Sequence, residues 1–180
     1  MKRILVFLSL LGLTALACRF PVGGPKAPGD PIPVSEQSAQ ELKNVWQAGL
    51  EGGAGGQVQI TITEEQLTSF VALKLAAEEE PLIRDPQIYL RDNKVQIYGT
   101  AQSGYFSAAA LITLEVSVNQ AGQPAFTITE ANFGPLPVPD NLLSKLSDSI
   151  NSAFDDQFAG LKITSLTIAD GQMILVGEAS

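Results

Sequence analysis

The chain has 180 residues and a formal net charge of −8, from 11 Lys and Arg against 19 Asp and Glu. This acidic balance argues against a nucleic-acid partner, because nucleic-acid affinity comes largely from cationic contacts to phosphate. There is no His and only one Cys, so zinc sites built from His and Cys, Ser-His and Cys-His nucleophilic pairs, and an internal disulfide are all excluded. We therefore expect a protein that is not an enzyme, with no metal site and no cofactor.

Residues 1–17 have the proportions of a secretory signal peptide. Lys2 and Arg3 precede an uncharged apolar run from Ile4 to Leu16, which is too short to cross the ~30 Å core of a bilayer. The single Cys follows directly, and the sequence Thr-Ala-Leu-Ala-Cys at 14–18 resembles a bacterial lipobox. We expect Cys18 to become the acylated amino terminus, carrying palmitate-type chains; the alternative is a plain secretory signal followed by a chance Cys.

Acylation at Cys18 predicts where the protein resides. Two or more acyl chains hold a protein firmly at a membrane, whereas one chain alone is marginal. We expect a bacterial cell-envelope lipoprotein, anchored in the cell membrane or the outer membrane and facing the extracytoplasmic side. Its expected partner is membrane lipid, as covalent anchor and as bound phospholipid; an envelope protein of unknown identity is the other partner that the sequence leaves open.

Residues 18–34 are rich in Pro and Gly and show no periodicity, which favours a semi-extended tether. A loop packed on the domain is the alternative. Residues 35–56 predict a short helix with Ser35 as its N-cap, followed by a Gly-rich linker. This helix either docks weakly or belongs to the tether.

The domain is expected to span residues 57–180, beginning with an alternating strand at Gln57. A capping box from Thr63 to Gln66 then opens a helix with an apolar stripe of Leu67, Phe70, Val71 and Leu75. A second helix, over about 140–158, carries a stripe of Leu143, Leu146, Ile150, Phe154 and Phe158.

Three hairpins follow from alternation and turn residues, and the two-residue loops 92–93 and 170–171 are both expected to have positive φ at their central residues. The loop Asp92-Asn93 pairs Leu90 with Val95 and Ile88 with Ile97. The loop 120–122 joins a strand over about 105–118 to its return, and it sets Phe126 opposite Val116 and Ile128 opposite Leu114. The loop Asp170-Gly171 pairs Ile168 with Met173 and Leu166 with Leu175.

The first and last hairpins match at an offset of 78 residues, and each follows an amphipathic helix. This similarity indicates either two related units facing each other across a shared core or the chance likeness of any two alternating hairpins. Three helices and about seven mostly antiparallel strands predict an α+β fold, in which a curved sheet wraps one or two amphipathic helices.

No catalytic motif emerges from the residues. The Gly-rich segment 52–56 lacks the Lys and the following helix of a phosphate-binding loop. The neighbouring acids at 78–80 and 155–156 point in different directions on a helix, so we interpret them as solvated charge.

The domain resembles the bacterial LmeA-like phospholipid-binding family in four segments: 60–67 (ITITEEQL), 92–99 (DNKVQIYG), 134–139 (GPLPVP) and 170–177 (DGQMILVG). It is similar to the YpmS-like lipoproteins in the strand–helix start and in the Leu-Pro-Val-Pro segment. The resemblance implies a lipid-binding envelope domain related to the TULIP-like half-barrels, in which a long helix lies in a curved antiparallel sheet.

These expectations combine into a lipoprotein that binds phospholipid or another apolar ligand in a helix–sheet groove. The alternative is a structural or partner-binding lipoprotein with a closed core, because a helix stripe that lines a groove and one that fills a core have the same pattern. Periodicity alone gives the candidate groove residues, which are Leu67, Phe70, Val71, Leu114, Val116, Phe126, Ile128, Leu146, Ile150 and Phe154.

Overall fold

The computed structural model describes residues 23–52, 56–79, 81, 83–103, 106–138, 144, 147, 148, 151 and 161–179. The helices are α1 (Glu36–Gly52) and α2 (Glu64–Ala76). The strands are β1 (Gln57–Thr63), β2 (Ile83–Arg91), β3 (Lys94–Ser103), β4 (Phe106–Val118), β5 (Pro124–Phe133), β6 (Leu136–Pro137), β7 (Leu161–Ala169) and β8 (Gln172–Ala179).

The strands form two antiparallel sheets, one with the order β1-β8-β7 and one with the order β2-β3-β4-β5-β6. The expected α+β class is confirmed, and the described residues form seven long strands and the two-residue β6. The strands are divided between two sheets, whereas the sequence predicted one curved sheet. The division has a physical cause at the sheet edges, where helix side chains occupy backbone groups that another strand would otherwise pair.

The predicted hairpin registers are all observed. Leu90 pairs with Val95, Val116 with Phe126, and the last hairpin has Ile168 opposite Met173. The pairs Ile88–Ile97, Leu114–Ile128 and Leu166–Leu175 also form. Period-two alternation and short turns together therefore fix the strand pairing in this chain.

The turns match the prediction with one exception. Asp92 and Asn93 both have positive φ, 52° and 60°, and Gly122 has φ 78°. In the last hairpin Gly171 has φ 84°, but Asp170 is not among the positive-φ residues. The expectation of positive φ at both central residues is wrong there, and a left-handed second residue alone is the pattern of a type II turn.

The core lies between the two sheets and the two helices. Members from the two matching hairpins meet in it, including Ile88 and Leu90 from the first and Ile168 and Leu175 from the last. Ile60 on β1 and Ile163 on β7 are almost fully buried with them. Both sheets and α1 contribute buried residues to this one cluster, so the described residues 57–179 share a single hydrophobic core.

The free edge of β2 is sealed by side chains of α2. The Thr68 hydroxyl accepts a hydrogen bond from Ile88 N at 3.0 Å and donates to Ile88 O at 3.4 Å. One turn earlier, the Glu64 carboxylate accepts from Leu90 N at 2.7 Å and from the Arg91 guanidinium. Buried backbone groups need such partners, and here a helix supplies them in place of a neighbouring strand.

The opposite edge of the same sheet is sealed in a similar way. Asn151 accepts from Phe126 N and donates to Phe126 O, both at 2.8 Å, and Ser147 Oγ accepts from Ile128 N at 2.9 Å. The described residues of the predicted second helix, 144, 147, 148 and 151, are helical. Its predicted apolar stripe of Leu143, Leu146, Ile150, Phe154 and Phe158 lies outside the described residues.

The helix α1 belongs to the domain. Ser35 caps it as predicted, since its hydroxyl accepts from Ser38 N at 3.0 Å. Ala39 and Leu42 are buried, and a Cβ placed on Gly49 would lie 2.5 Å from Ile60 Cδ1. A side chain at position 49 would force Ile60 to shift, so α1 is packed closely against β1 and does not dock loosely.

Residues 24–35, which we call the strap, pack along the domain. The Tyr89 hydroxyl donates to Asp30 O at 3.1 Å, Gln87 exchanges two hydrogen bonds with the backbone of Ile32, and Ser35 N donates to Ser69 Oγ at 3.1 Å. For residues 18–34 the sequence left open a semi-extended tether or a loop packed on the domain. For residues 24–34 the packed loop is observed.

The two matching hairpins contact each other reciprocally at their turns. Gly171 N donates to Leu90 O at 3.0 Å, and Ile168 N donates to Asn93 Oδ1 at 3.4 Å. At the offset of 78, Leu90 corresponds to Ile168 and Asn93 to Gly171. Each hairpin thus uses the same two positions toward the other, although one bond joins two backbone groups and the other joins a backbone amide to a side-chain oxygen.

Candidate functional site

The described members of the predicted groove set are part of the core or lie against it. Leu114, Val116 and Ile128 are buried, with at most 9% of each residue exposed. Leu67, Phe70, Val71 and Phe126 are partly buried and pack against the same cluster. Leu146, Ile150 and Phe154 lie outside the described residues. The structure thus brings the described members to one core, and whether they bind a ligand stays a prediction.

An open cleft lies beside these residues, between the carboxyl-terminal half of α2 and the first half of β2. We call it the α2–β2 cleft. Its volume is about 490 Å³, within the usual range of small-molecule sites, ~300–1,000 Å³. The lining residues come from the end of the strap, from α2, from the loop after it and from β2, namely Val34, Ala72, Leu73, Leu75, Ala76, Glu78, Glu79, Pro81, Ile83, Arg84, Asp85, Pro86 and Gln87.

The observed side-chain hydrogen bonds between α2 and β2 lie away from the cleft. Their hydrogen bonds come from Glu64 and Thr68, in the first half of the helix. Farther along, the pairing of β2 with β3 shifts between Arg84 and Gln87, and Asp85 has φ 50°. A bulge of this kind bends the strand, and the bend lies where the cleft opens.

The wall of the cleft is apolar and accessible. Among the described residues, the exposed large hydrophobic side chains are Val34 at 46% and Leu73 at 38%, and both line this cleft. Single exposed apolar residues need no explanation, but these two line the same concavity. The arrangement can therefore shield an apolar group from water.

The rim of the cleft carries mixed charge. Glu78, Glu79 and Asp85 contribute carboxylates and Arg84 a guanidinium, and all four residues are exposed. Exposed charges bind weakly in water, so the rim can orient a ligand more than hold it. A ligand with an ammonium and a phosphate group would find opposite charges for both.

A second depression, of about 450 Å³, lies at the opposite end of the five-stranded sheet. Its lining is mostly polar and includes the ion pair of Lys94 with Glu115, whose Nζ and Oε1 are 3.4 Å apart. Val116 is its single large apolar member. The chemistry of this depression does not suit an apolar ligand.

Sequence analysis did not find the residues that form the cleft. Leu73 stands outside the predicted α2 stripe, and the bulge at Asp85 has no signal beyond the Asp-Pro pair. Most of the predicted apolar stripe of α2 does pack against the core. The sequence did not predict, however, that the helix residues with 0% exposure are Thr68 and Ser69, which bind β2 and the strap. Periodicity of apolar residues does not reveal polar side chains that are buried because they pair with backbone.

Other classes of site are not formed by the described residues. Those residues contain no cluster of three or more His, Cys, Asp or Glu able to hold a metal ion. None of the helices in this part of the chain is long and apolar enough to cross a membrane. No family model, no curated protein and no solved structure matches the chain.

Proposed function

We propose that the protein is an extracytoplasmic lipoprotein, anchored through acylated Cys18, that binds an acyl chain of a phospholipid in the α2–β2 cleft. The observation that carries the proposal is the cleft itself, about 490 Å³ in volume, with the exposed side chains of Val34 and Leu73 in its wall. A methylene shielded from water is ~0.8 kcal/mol more stable than one left in water, so an apolar cleft wall lowers the cost of moving a chain out of a bilayer.

The rim suggests the class of headgroup. Glu78, Glu79 and Asp85 contribute carboxylates to this rim and Arg84 a guanidinium, and all four residues are exposed. A zwitterionic phospholipid could place its ammonium near the carboxylates and its phosphate near Arg84. An anionic headgroup would instead meet three negative charges, which disfavour it.

The amino-terminal sequence and the family resemblance support the same proposal. The lipobox-like segment ending at Cys18 supplies the anchor, and the resemblance to LmeA-like and YpmS-like proteins supplies the ligand class. The relation to TULIP-like half-barrels is part of this proposal. What supports it is the combination of helices with antiparallel sheets.

Binding is tested by purifying the full chain from membranes and weighing it by native mass spectrometry after detergent release. We expect a mass increment of one phospholipid beyond the covalent anchor, and loss of that increment in Leu73→Gln. Lys74→Gln is the matched control, because Lys74 is exposed next to Leu73 but does not line the cleft. Equal lipid retention by both variants would contradict binding in the cleft.

A second candidate function follows from the closed core. Since Leu114, Val116 and Ile128 are buried, the domain could be a partner-binding lipoprotein whose cleft receives an apolar side chain of another envelope protein. In that case the native mass contains only the covalent acyl chains. Crosslinking in intact cells from residues near Leu73 should then capture a protein instead of a lipid.

A further inference from the structure

The strap determines where the chain leaves the domain on its way to the anchor. A Cβ on Gly24 would lie 3.0 Å from Gly134 Cα and 3.1 Å from Ala109 O, so Gly24 rests directly on the turn after β5. That turn is held by a hydrogen bond from Gly134 N to Ala109 O at 2.7 Å. From there the strap continues to Ser35, bound on the way through Asp30 and Ile32.

Gly24 therefore marks one end of the five-stranded sheet. The strand β5 runs ten residues from the turn at 119–123 to Phe133, which places its two ends about 30 Å apart at ~3.4 Å per residue. Gly134 and Pro135 follow Phe133 at the near end. The turn containing Ala121 and Gly122 lies at the far end.

The distance to the anchor is short. Cys18 precedes Gly24 by six residues, and a fully extended chain spans ~3.3–3.6 Å per residue. Six residues can separate the acylated sulfur from Gly24 by at most about 20 Å. This reach is shorter than β5, so the near end of the sheet is held toward the bilayer and the far end is not.

We infer that the end of the domain formed by Ala109, Gly134 and Pro135 faces the lipid bilayer in which Cys18 is anchored. This inference rests on the anchor in the proposed function. The partner is the lipid surface of the protein's own membrane, because the chain between the anchor and the packed strap is too short to hold this end far from it.

The orientation has a consequence for the α2–β2 cleft. Ile83, in the cleft wall, pairs with Ala101, and Ala101 pairs with Ala108 on β4. These three residues form one row across the sheet, next to Ala109. The cleft therefore lies at the bilayer-facing end, where a lipid could enter it without crossing bulk water.

The single Cys makes the orientation directly measurable. A Cys18 lipidated through its sulfur has no free thiol, so an introduced Cys is then the one free thiol of the chain. We would compare full-length Pro135→Cys with Ala121→Cys, because both residues are exposed in turns at opposite ends of β5. Each is labelled with a fluorescent donor and placed in phosphatidylcholine vesicles that contain an acceptor on a lipid headgroup.

We expect strong loss of donor fluorescence by energy transfer at residue 135 and little loss at residue 121. Equal transfer at both positions, or the reverse order, would overturn the inference while leaving the anchor intact. Wild-type protein labelled in parallel tests the anchor separately. If it reacts with maleimide or does not bind vesicles, both the anchor and the inference fail. If Pro135→Cys does not fold, Lys26→Cys, exposed on the strap next to Gly24, takes its place.

Discussion

The two ends of α2 differ sharply in how they are closed. At its first residues, Glu64 and Thr68 satisfy the edge of β2, Gly171 binds Leu90, and the two hairpin turns interlock. At its last residues the helix and β2 separate around an open cleft lined by Leu73. One helix thus stabilises the fold at one end and leaves apolar surface accessible at the other.

This difference indicates that one end of the domain provides stability and the other end provides a binding surface. The described residues have no buried side-chain nitrogen or oxygen without a hydrogen-bond partner, so the closed end gains stability without unsatisfied polar groups. The open end keeps Val34 and Leu73 exposed, an arrangement that adds little to stability and suits binding. Substitutions at the two ends should therefore affect different properties.

The largest effect on stability is expected from Leu90→Ala at the closed end. Leu90 is 0% exposed, and truncating a fully buried Leu costs ~2–5 kcal/mol of unfolding free energy. The same substitution at Leu73, which is 38% exposed, should cost less than ~0.5 kcal/mol. Urea denaturation of both variants checks this, and similar losses of unfolding free energy at the two positions would refute the difference between the two ends.

A smaller effect is expected from Thr68→Val. The substitution keeps the side-chain shape but removes the hydroxyl that serves both Ile88 N and Ile88 O. Leaving buried backbone groups unpaired costs ~1–3 kcal/mol, so the urea midpoint should fall clearly. Thr167→Val, at an exposed position of β7, is the control and should leave the midpoint almost unchanged.

Tyr89→Phe should cost less again, ~0.5–1.5 kcal/mol, because it removes one hydrogen bond, to Asp30 O, between the sheet and the strap. It should also change the pH dependence of stability. Burial above all, and then the charge of Glu64, raise the pKa of Tyr89 above its usual 10.0, against an opposing effect of Arg91. The folded protein therefore keeps this proton more tightly than the unfolded chain does.

The sign of the effect follows from proton linkage. Because the unfolded chain loses the phenolic proton first, the contribution of Tyr89 to stability is constant well below pH ~10 and falls as pH rises above it. Burial and Glu130 also raise the pKa of Tyr98. The loss of stability above pH ~10 should therefore be smaller in Tyr89→Phe than in the wild-type protein, but still present. Urea midpoints measured on both sides of pH ~10 test this, and parallel curves for the two proteins would contradict it.

The smallest effect on stability, within ~0.5 kcal/mol, is expected from Leu73→Gln, because that side chain is already partly in water. Its effect on lipid retention should nevertheless be the largest of the set. A fall in unfolding free energy as large as that of Thr68→Val would show that the cleft wall is structural. Lys74→Gln should change neither property.

The sequence predicted the strand pairing but not the contacts of the strap, and the reasons can be identified. Strand pairing was predictable because alternation and turn residues are local: Leu90 and Val95 are five residues apart. The strap was not, because its partners are distant in sequence, such as Tyr89 with Asp30, and because its own backbone groups make the contacts. No side-chain periodicity records such contacts.

The candidate site depended on the same kind of distant interaction. Apolar spacing identified Leu114, Val116 and Ile128 as residues that face inward, and they do. It could not show that a hydrogen bond to Thr68 holds α2 against β2 at one end, or that the bulge at Asp85 lies beside the open cleft. The division into two sheets was missed because Glu64, Ser147 and Asn151 act through hydrogen bonds to strand edges.

The most direct test of lipid binding at the open end is photo-crosslinking in vesicles. Full-length lipidated protein would be mixed with a phosphatidylcholine that carries a diazirine near the end of one acyl chain, irradiated, digested and mapped by mass spectrometry. The account predicts labelling within residues 72–87, around Leu73 and Ile83, and its loss in Leu73→Gln but not in Lys74→Gln. Labelling confined to other parts of the domain, or none beyond the acylated amino terminus, would contradict it.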